Sequence, residues 1–311
     1  MKVIRDLNHF DCKDKTAVVT IGNFDGMHEG HKAVLKRLCE YTDASKLSVV
    51  LTFSNHPSSV LHPERPTLLL CTEAHKIRIM ESLGVDLLII LPFDKKFSEQ
   101  SAKEFLHLLK ERLHFRHMIL GHDARFGLGR DGNPEHVQLL STQMDFTVEY
   151  VKQVYQEGGA PISSSALRQL IQKGKIQKAK SLLGRKYSIA SVVCKGNGFG
   201  KELGYPTANL NVSGLCLPPL GIYAVSVMID NEKKLFGAAN LGLAPTIRDD
   251  PQPILEVHIF DYNKNLYGHT IEVVFLEYIR PEEHFENIAD LKQAITQDIK
   301  HCERIFSILS S

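Results

Sequence analysis

Thr20–His31 reads TIGNFDGMHEGH, and the chain around it alternates in a way that decides the architecture of the first half. The segment leaves an apolar run at Ile21, passes through a glycine-bearing turn, and opens a helix at His28 and His31. In that helix Val34, Leu35, Leu38 and Tyr41 fall on one stripe of the 3.6-residue period. Strands are predicted at Ala17–Ile21, Leu47–Phe53, Val85–Leu91, Arg116–Leu120 and Phe146–Val151. The first three are nearly continuous apolar runs, the pattern of parallel strands covered on both faces. Ser101 to Glu104 forms a capping box ahead of Phe105, Leu106, Leu109 and Leu113, and Asn133-Pro134 caps and begins another helix. Strand and helix in alternation imply a Rossmann-like, doubly wound α/β sheet whose ligand sits beyond the carboxyl ends of the strands.

Working outward, the pattern changes after Leu183-Gly184. From Tyr187 the chain reads as strands punctuated by Gly, Pro and Asn, most clearly Gly221–Ile229, Leu235–Leu241, Ile254–Asp261 and Ile271–Glu277. Many strands without crossover helices predict a small antiparallel β-barrel, closed by a helix from about Asn287 to Ile305. The expected domains are therefore residues 1–183 and 184–311. The 311 residues suffice for two domains, and 43% hydrophobic with 23% charged residues is a globular composition. A net charge of +1 argues against nucleic acid or an acidic membrane surface as partner. Met1–Lys15 lacks the apolar core of a signal peptide, and runs such as Leu87–Leu91 are too short to span a bilayer. The six cysteines are scattered without a CxxC pair, which points to neither a zinc ribbon nor a disulfide scaffold and fits the cytoplasm.

At spacing i, i+3, His28 and His31 share one face of the first helical turn, where amide N–H groups and the helix dipole favour an anion. Two imidazoles there suit nucleotide phosphates; by themselves they are equally two solvated helix-start histidines. Context selects between these. GNFDGMHEGH resembles the signature of the nucleotidyltransferase superfamily, and its GNFDG form resembles the FAD synthetase branch. That resemblance places Gly22, Asn23 and Phe24 with His28 and His31 on the ATP phosphates. The family's second phosphate motif, of the type ISSTxIR, is matched by Ile162–Arg168, ISSSALR, which implies Ser163, Ser164, Ser165 and Arg168 on the same group. Alone, that string is a plain helix cap with a solvated arginine. Phe53–Pro57, FSNHP, resembles the flavin-side loop through His56 and Pro57, and Gly121–Gly127, GHDARFG, resembles a GxDFxFG element containing Asp123 and Arg125. For Asp123 and Arg125 a structural ion pair at a turn is the alternative. The chain departs from the family at Asn55 (commonly proline), Ala124 (commonly aromatic) and Ser165 (often threonine).

Lys195–Leu210, KGNGFGKELGYPTANL, suggests a dinucleotide or Walker loop by its glycines, and neither reading fits. No helix pattern follows the glycines, and Lys195 and Glu202 stand where a Walker loop needs glycine and a hydroxyl. Thr207 and Asn209, at i and i+2 in extended chain, turn their oxygens the same way, and hard oxygens suit Mg²⁺ carried by ATP. Pro206 is either a fixed turn or an ordinary loop proline. In Leu255–Asp261, LEVHIFD, alternation puts Glu256 and His258 on the face opposite Leu255, Val257 and Ile259. Unaided, Glu256 reads as a solvated strand carboxylate.

KGNGFGKELGYPTANL resembles the riboflavin kinase signature GxxxGxPTAN. The resemblance implies that Gly196, Gly200 and Lys201 hold ATP phosphates, that Thr207 and Asn209 hold Mg²⁺ with ATP, and that Glu256 is the general base for the riboflavin 5′-hydroxyl. Tyr267-Gly268, Arg280-Pro281 and Phe285 match the same family, mostly as structure, with Arg280 a further nucleotide-site candidate. Ala190-Ser191 stands where the family's barrel entry carries glycine. Both resemblances together imply a two-site flavin-cofactor enzyme acting on riboflavin, FMN and ATP as a monomer or weak oligomer. The alternatives are an enzyme with only its kinase half active, or a flavin-sensing regulator without turnover.

Overall fold

A computed structural model describes residues 1–7, 12, 15–230, 233–244 and 252–310. The chain divides into two compact units, one of Met1–Leu69 with His75–Ser164 and the other of Leu70–Ala74 with Ser165–Ser311.

In the first unit β1 (Lys2–Ile4), β2 (Thr16–Ile21), α1 (Glu29–Glu40), β3 (Lys46–Phe53), α2 (Ser58–Leu61) and α3 (Glu73–Ser82) are followed by β4 (Leu87–Leu91), α4 (Lys95–Ser98) and α5 (Ala102–Leu113). Then come β5 (His117–Gly121), α6 (Pro134–Gln143) and β6 (Thr147–Val151). The six strands form one parallel sheet in the order β1-β4-β3-β2-β5-β6. Its two faces explain the continuous apolar runs. Val19, Leu51, Ile89 and Leu120 pack on one side with Phe105, Leu106 and Leu109 of α5. Val18, Val50, Leu88 and Ile119 pack on the other with Val34, Leu35 and Leu38 of α1. The capping box at Ser101 and Glu104 is present, and Asn133 caps α6 with a proline in its first turn. β1 is the one strand that alternation did not predict. It has three residues, lies at the sheet edge and is largely exposed, so it carries almost no periodic signal.

α7 (Ser164–Gln172) and α8 (Ile176–Leu183) lead to Gly184, which closes α8 at φ 65°. The second unit continues with β7 (Ser188–Cys194), α9 (Phe199–Leu203), β8 (Ala208–Asn211), β9 (Gly221–Ile229), β10 (Lys233–Ala244), β11 (Gln252–Ile259), β12 (Thr270–Arg280) and α10 (Ile288–Ser310). The strands close into an antiparallel barrel in the order β10-β11-β8-β7-β12-β9. Its interior is filled by Leu210, Val225, Val227, Leu241, Leu255, Val257 and Val273, all fully buried. Phe236, Ala238 and Phe260 lie on the outer face, packed with Cys302, Ile305 and Phe306 of α10. Three elements differ from expectation: α10 runs five residues past Ile305, and α8 and α9 are helices where none was read. α9 has five residues between Gly198 (φ 76°) and Gly204 (φ 95°), too short to show a helical period, and the Rossmann and Walker contexts remain absent. Among the described residues no helix is long and apolar enough to cross a membrane.

Candidate active sites

In the first unit β3, β2 and β5 are neighbours, so the loops leaving Phe53, Ile21 and Gly121 emerge side by side at the carboxyl edge of the sheet. The turn after Ile21 is tightly wound: Phe24 and Met27 stand at φ 48° and Gly26 at φ 82°. Three buried donors and rings hold it. Thr52 Oγ1 and the ammonium of Lys76, itself buried, donate to the carbonyl of Asn23 at 3.1 and 2.8 Å. The Phe24 ring packs edge-on to His31 at 5.3 Å.

His28 is the N-cap of α1, its Nδ1 accepting the His31 backbone N–H at 3.3 Å. An acceptor at Nδ1 leaves the proton of the neutral ring on Nε2, a donor suited to a phosphate oxygen. The His28 and His31 rings stack at 3.6 Å and 15°. The glycine between them has a steric reason: a Cβ on Gly30 would lie 3.2 Å from two atoms of the His28 ring. Ser164, at the start of α7, donates from Oγ to the carbonyl of Asp25 at 3.1 Å, so the second phosphate motif meets the first through this hydroxyl. Ser163 and Ser165 flank it. Arg168, one turn along α7, belongs to the second unit, and its carbonyl accepts from Cys216 Sγ at 3.7 Å.

His56 turns its Nδ1 to the Ser58 hydroxyl at 2.8 Å, and Pro57 begins α2. Asn55, where the family commonly has proline, ties this loop down: its side-chain amide exchanges two hydrogen bonds of 2.9 Å with the backbone of Phe93. Ala124 packs, half-buried, against the α5 side of the core. Asp123 and Arg125 form no ion pair with each other. The Asp123 side chain is 81% exposed, with His122 Nδ1 at 3.8 Å, so the structural alternative for this pair does not hold.

In the second unit a cleft of about 270 Å³ opens on the outer face of the barrel, lined by Thr207, Ala238, Asn240, Glu256 and His258 among others. Strand register assembles its centre. Glu256 of β11 stands directly opposite Asn209 of β8 on one side and Asn240 of β10 on the other. Directly paired residues of an antiparallel ladder project to the same face with Cβ atoms ~5 Å apart. The three side chains therefore form one row, Asn209–Glu256–Asn240. Burial, and then the Glu282 carboxylate beside it, push Glu256 above the ordinary carboxylate range. Both flanking amides present a buried Oδ1 that has no hydrogen-bond partner among the described residues. The Asn209 amide is oriented by its Nδ2, which donates to the Thr207 carbonyl at 3.5 Å.

The glycine loop closes over this row. A Cβ on Gly196 would come within 2.4 Å of the Asn209 amide, and one on Gly200 within 2.6 Å of the Tyr205 carbonyl and 3.2 Å of Thr207 Oγ1. Lys201 lies on α9, exposed. Two links fasten the cleft to the closing helix: Arg280 grips Asp298 in a bidentate pair of 2.9 and 2.8 Å, and Tyr205 shares a 2.9 Å hydrogen bond with Thr296. His258 Nδ1 lies 2.9 Å from the Pro206 carbonyl, fixing the entry to β8. Thr207 Oγ1 and Asn209 Oδ1 are hard oxygens that fit a hard divalent cation. Two neutral oxygens are too few to complete a divalent ion's shell, which suits an ion whose other ligands are phosphate oxygens.

Comparison with known proteins gives each half of the chain a family. The FAD synthetase family model matches residues 11–166, and the riboflavin kinase model matches residues 183–306. The chain belongs to the bifunctional riboflavin kinase/FMN adenylyltransferase family. Relatives of that name are 35% identical over 99% of this chain and 100% of their own length in Haemophilus influenzae, 35% over 99% of each chain in Escherichia coli K12, and 33% over 99% and 100% in Buchnera aphidicola of Schizaphis graminum. A crystal structure described as a macrolide-efflux protein from Streptococcus pneumoniae aligns over 97% of this chain and 98% of its own, at 29% identity and a TM-score of 0.79.

Two residues of these sites escaped the sequence. Lys76 sits on α3 in the run EAHKIRIMES, where a lysine ordinarily reads as solvated. Asn240 sits in AANLG of β10, where its polarity among small apolar residues was the one available signal.

Proposed function

We propose that this chain phosphorylates riboflavin to FMN with ATP, and then transfers AMP from a second ATP to FMN, giving FAD and pyrophosphate. We assign the first step to residues 184–311 and the second to residues 1–183. The observation that carries the reading is the juxtaposition in the barrel cleft of a carboxylate with raised proton affinity and an amide oxygen left without a donor, beneath a glycine loop.

In the first step the riboflavin 5′-oxygen attacks the γ-phosphorus of ATP, its proton passes to the Glu256 carboxylate, and ADP leaves. A base with raised pKa takes that proton more readily than an ordinary carboxylate. Thr207 and Asn209 hold Mg²⁺ with ATP, and the ion, when bound, offsets phosphate charge. Gly196 and Gly200 let the backbone approach the phosphates, with Lys201 at the loop's rim. In the second step an FMN phosphate oxygen attacks the α-phosphorus of ATP and pyrophosphate leaves. His28, His31 and the amides of Gly22, Asn23 and Phe24 stabilise the charge that develops there, together with Ser163, Ser164, Ser165 and Arg168. His56, Pro57, Asp123 and Arg125 face the flavin. No covalent enzyme intermediate is needed, because positioning and charge stabilisation suffice. Both steps draw on ATP, which supports our assignment of the enzyme to the cytoplasm, as a monomer or weak oligomer without nucleic acid or membrane partner.

The test is to incubate the protein with riboflavin, ATP and MgCl₂ and resolve the flavins over time. FMN followed by FAD is the expected result. FMN alone would leave a kinase with an idle first unit, and flavin binding without ATP consumption would make the chain a sensor.

A further inference from the structure

Glu256 stands between two amides, and the two sides of the row differ. On the Asn209 side lie Thr207 and the glycine loop, whose Gly196 and Gly200 approach too closely to admit a Cβ. That side is built for phosphates. The Asn240 side has no such loop. Its walls in the cleft are Ala238, Ala239 and Ile222, with Arg280 paired to Ile222 and Glu282 against Gly242 at its far edge. Asn240 is the polar residue paired with Glu256 there, and its Oδ1 is buried without a hydrogen-bond partner among the described residues. A buried acceptor left unmade costs stability, so a bound ligand that donates to it is favoured.

We propose that Asn240 is a specificity-determining residue of the kinase step, accepting a hydrogen bond from the secondary hydroxyl next to the reacting primary alcohol. This inference rests on the proposed riboflavin kinase activity. A hydroxyl can donate only one proton, so the 5′-hydroxyl that donates to Glu256 cannot also satisfy Asn240. A vicinal 4′-hydroxyl can, and the ~5 Å spacing of directly paired strand residues suits two adjacent hydroxyls of a ribityl chain. Asn240 thereby reads a 1,2-diol and fixes which of its oxygens meets the base. A site built to bond a substrate hydroxyl rejects the analogue that lacks it, because its own polar atom is then left unpaired.

The experiment compares riboflavin with 4′-deoxyriboflavin as kinase substrates for the wild-type chain, Asn240→Leu and Asn240→Ser. The wild type is expected to prefer riboflavin by about 10²-fold or more in kcat/KM. Asn240→Leu is expected to lose most of that preference, with riboflavin turnover reduced and the KM for ATP unchanged. Asn240→Ser, which keeps a shorter polar group, is expected to fall between. An unchanged KM for ATP in the kinase step, with a circular-dichroism melt of each variant, reports a folded barrel. Wild-type-like discrimination in both variants overturns the role of Asn240 while leaving the kinase reading intact. A wild-type chain that phosphorylates neither compound removes the kinase reading, and this inference with it.

Discussion

The two units handle phosphoryl chemistry by different physical means. In the first, the groups that we assign to the nucleotide are centred on a turn with three positive φ angles that runs into a helix N-terminus, joined by the serine motif at the start of α7. The side chains around it, Thr52, Lys76 and Ser164, hold carbonyls of that turn in place. In the second, the centre is a row across three strands, β8, β11 and β10, and the member to which we assign proton transfer is a carboxylate with raised pKa. Adenylyl transfer to an already ionised phosphate needs no base, whereas phosphorylating an alcohol requires a group to receive a proton. The architectures follow that difference.

Substitutions can break the comparison or sharpen it. Glu256→Gln should lower FMN formation by ~10²–10⁴-fold while leaving FMN-to-FAD conversion unchanged, as initial rates resolved by chromatography will report. Loss of both activities in a folded variant would end the two-site assignment. Replacing His28 and His31 together by alanine should do the reverse, reducing FAD output by ~10²–10³-fold with FMN formation intact. Normal FAD output from that variant would remove the role given to the histidine pair. Gly196→Ala drives a Cβ to 2.4 Å from the Asn209 amide and should lower kcat/KM for ATP in the kinase step alone, by up to about 10²-fold.

The pH dependence separates the units more finely. Glu256 must be ionised to accept a proton, and its folded pKa is raised above 4.5. FMN formation should therefore fall, as pH is lowered, at a pH above that of an ordinary carboxylate, and Glu256 adds no such limb to the adenylylation profile. The same shift has a small effect on stability. A carboxylate whose folded pKa is raised destabilises the fold at pH above that value, and the penalty disappears below the unfolded pKa. Glu256→Gln should thus raise Tm slightly near neutral pH and leave it unchanged in acid; an equal Tm at both would mean that the carboxylate is not desolvated.

Much of this was legible because the signals were local. The parallel sheet followed from apolar runs alternating with amphipathic helices, and the barrel from closely spaced strands. The capping box at Ser101, the histidine pair and the PTAN segment are each contained in a few residues. β1 and α9 were missed because three exposed residues and a five-residue turn between glycines carry no measurable period. Asn55 and Ala124, departures from the family pattern, acquire meaning only in three dimensions: Asn55 is a tie to the Phe93 backbone, and Ala124 is a packing residue.

By itself the sequence determined the two folds, their order, and the residue types at each phosphate-binding turn, since hydrophobic periodicity and short motifs are properties of neighbours in the chain. Only the tertiary structure decided that Lys76 is buried beneath the Asn23 carbonyl, that glycine is sterically required over Asn209, and that Asn240 shares a row with Glu256. Those facts depend on register and close approach between segments that are not neighbours in the chain, and no local spacing encodes which residue will stand opposite which.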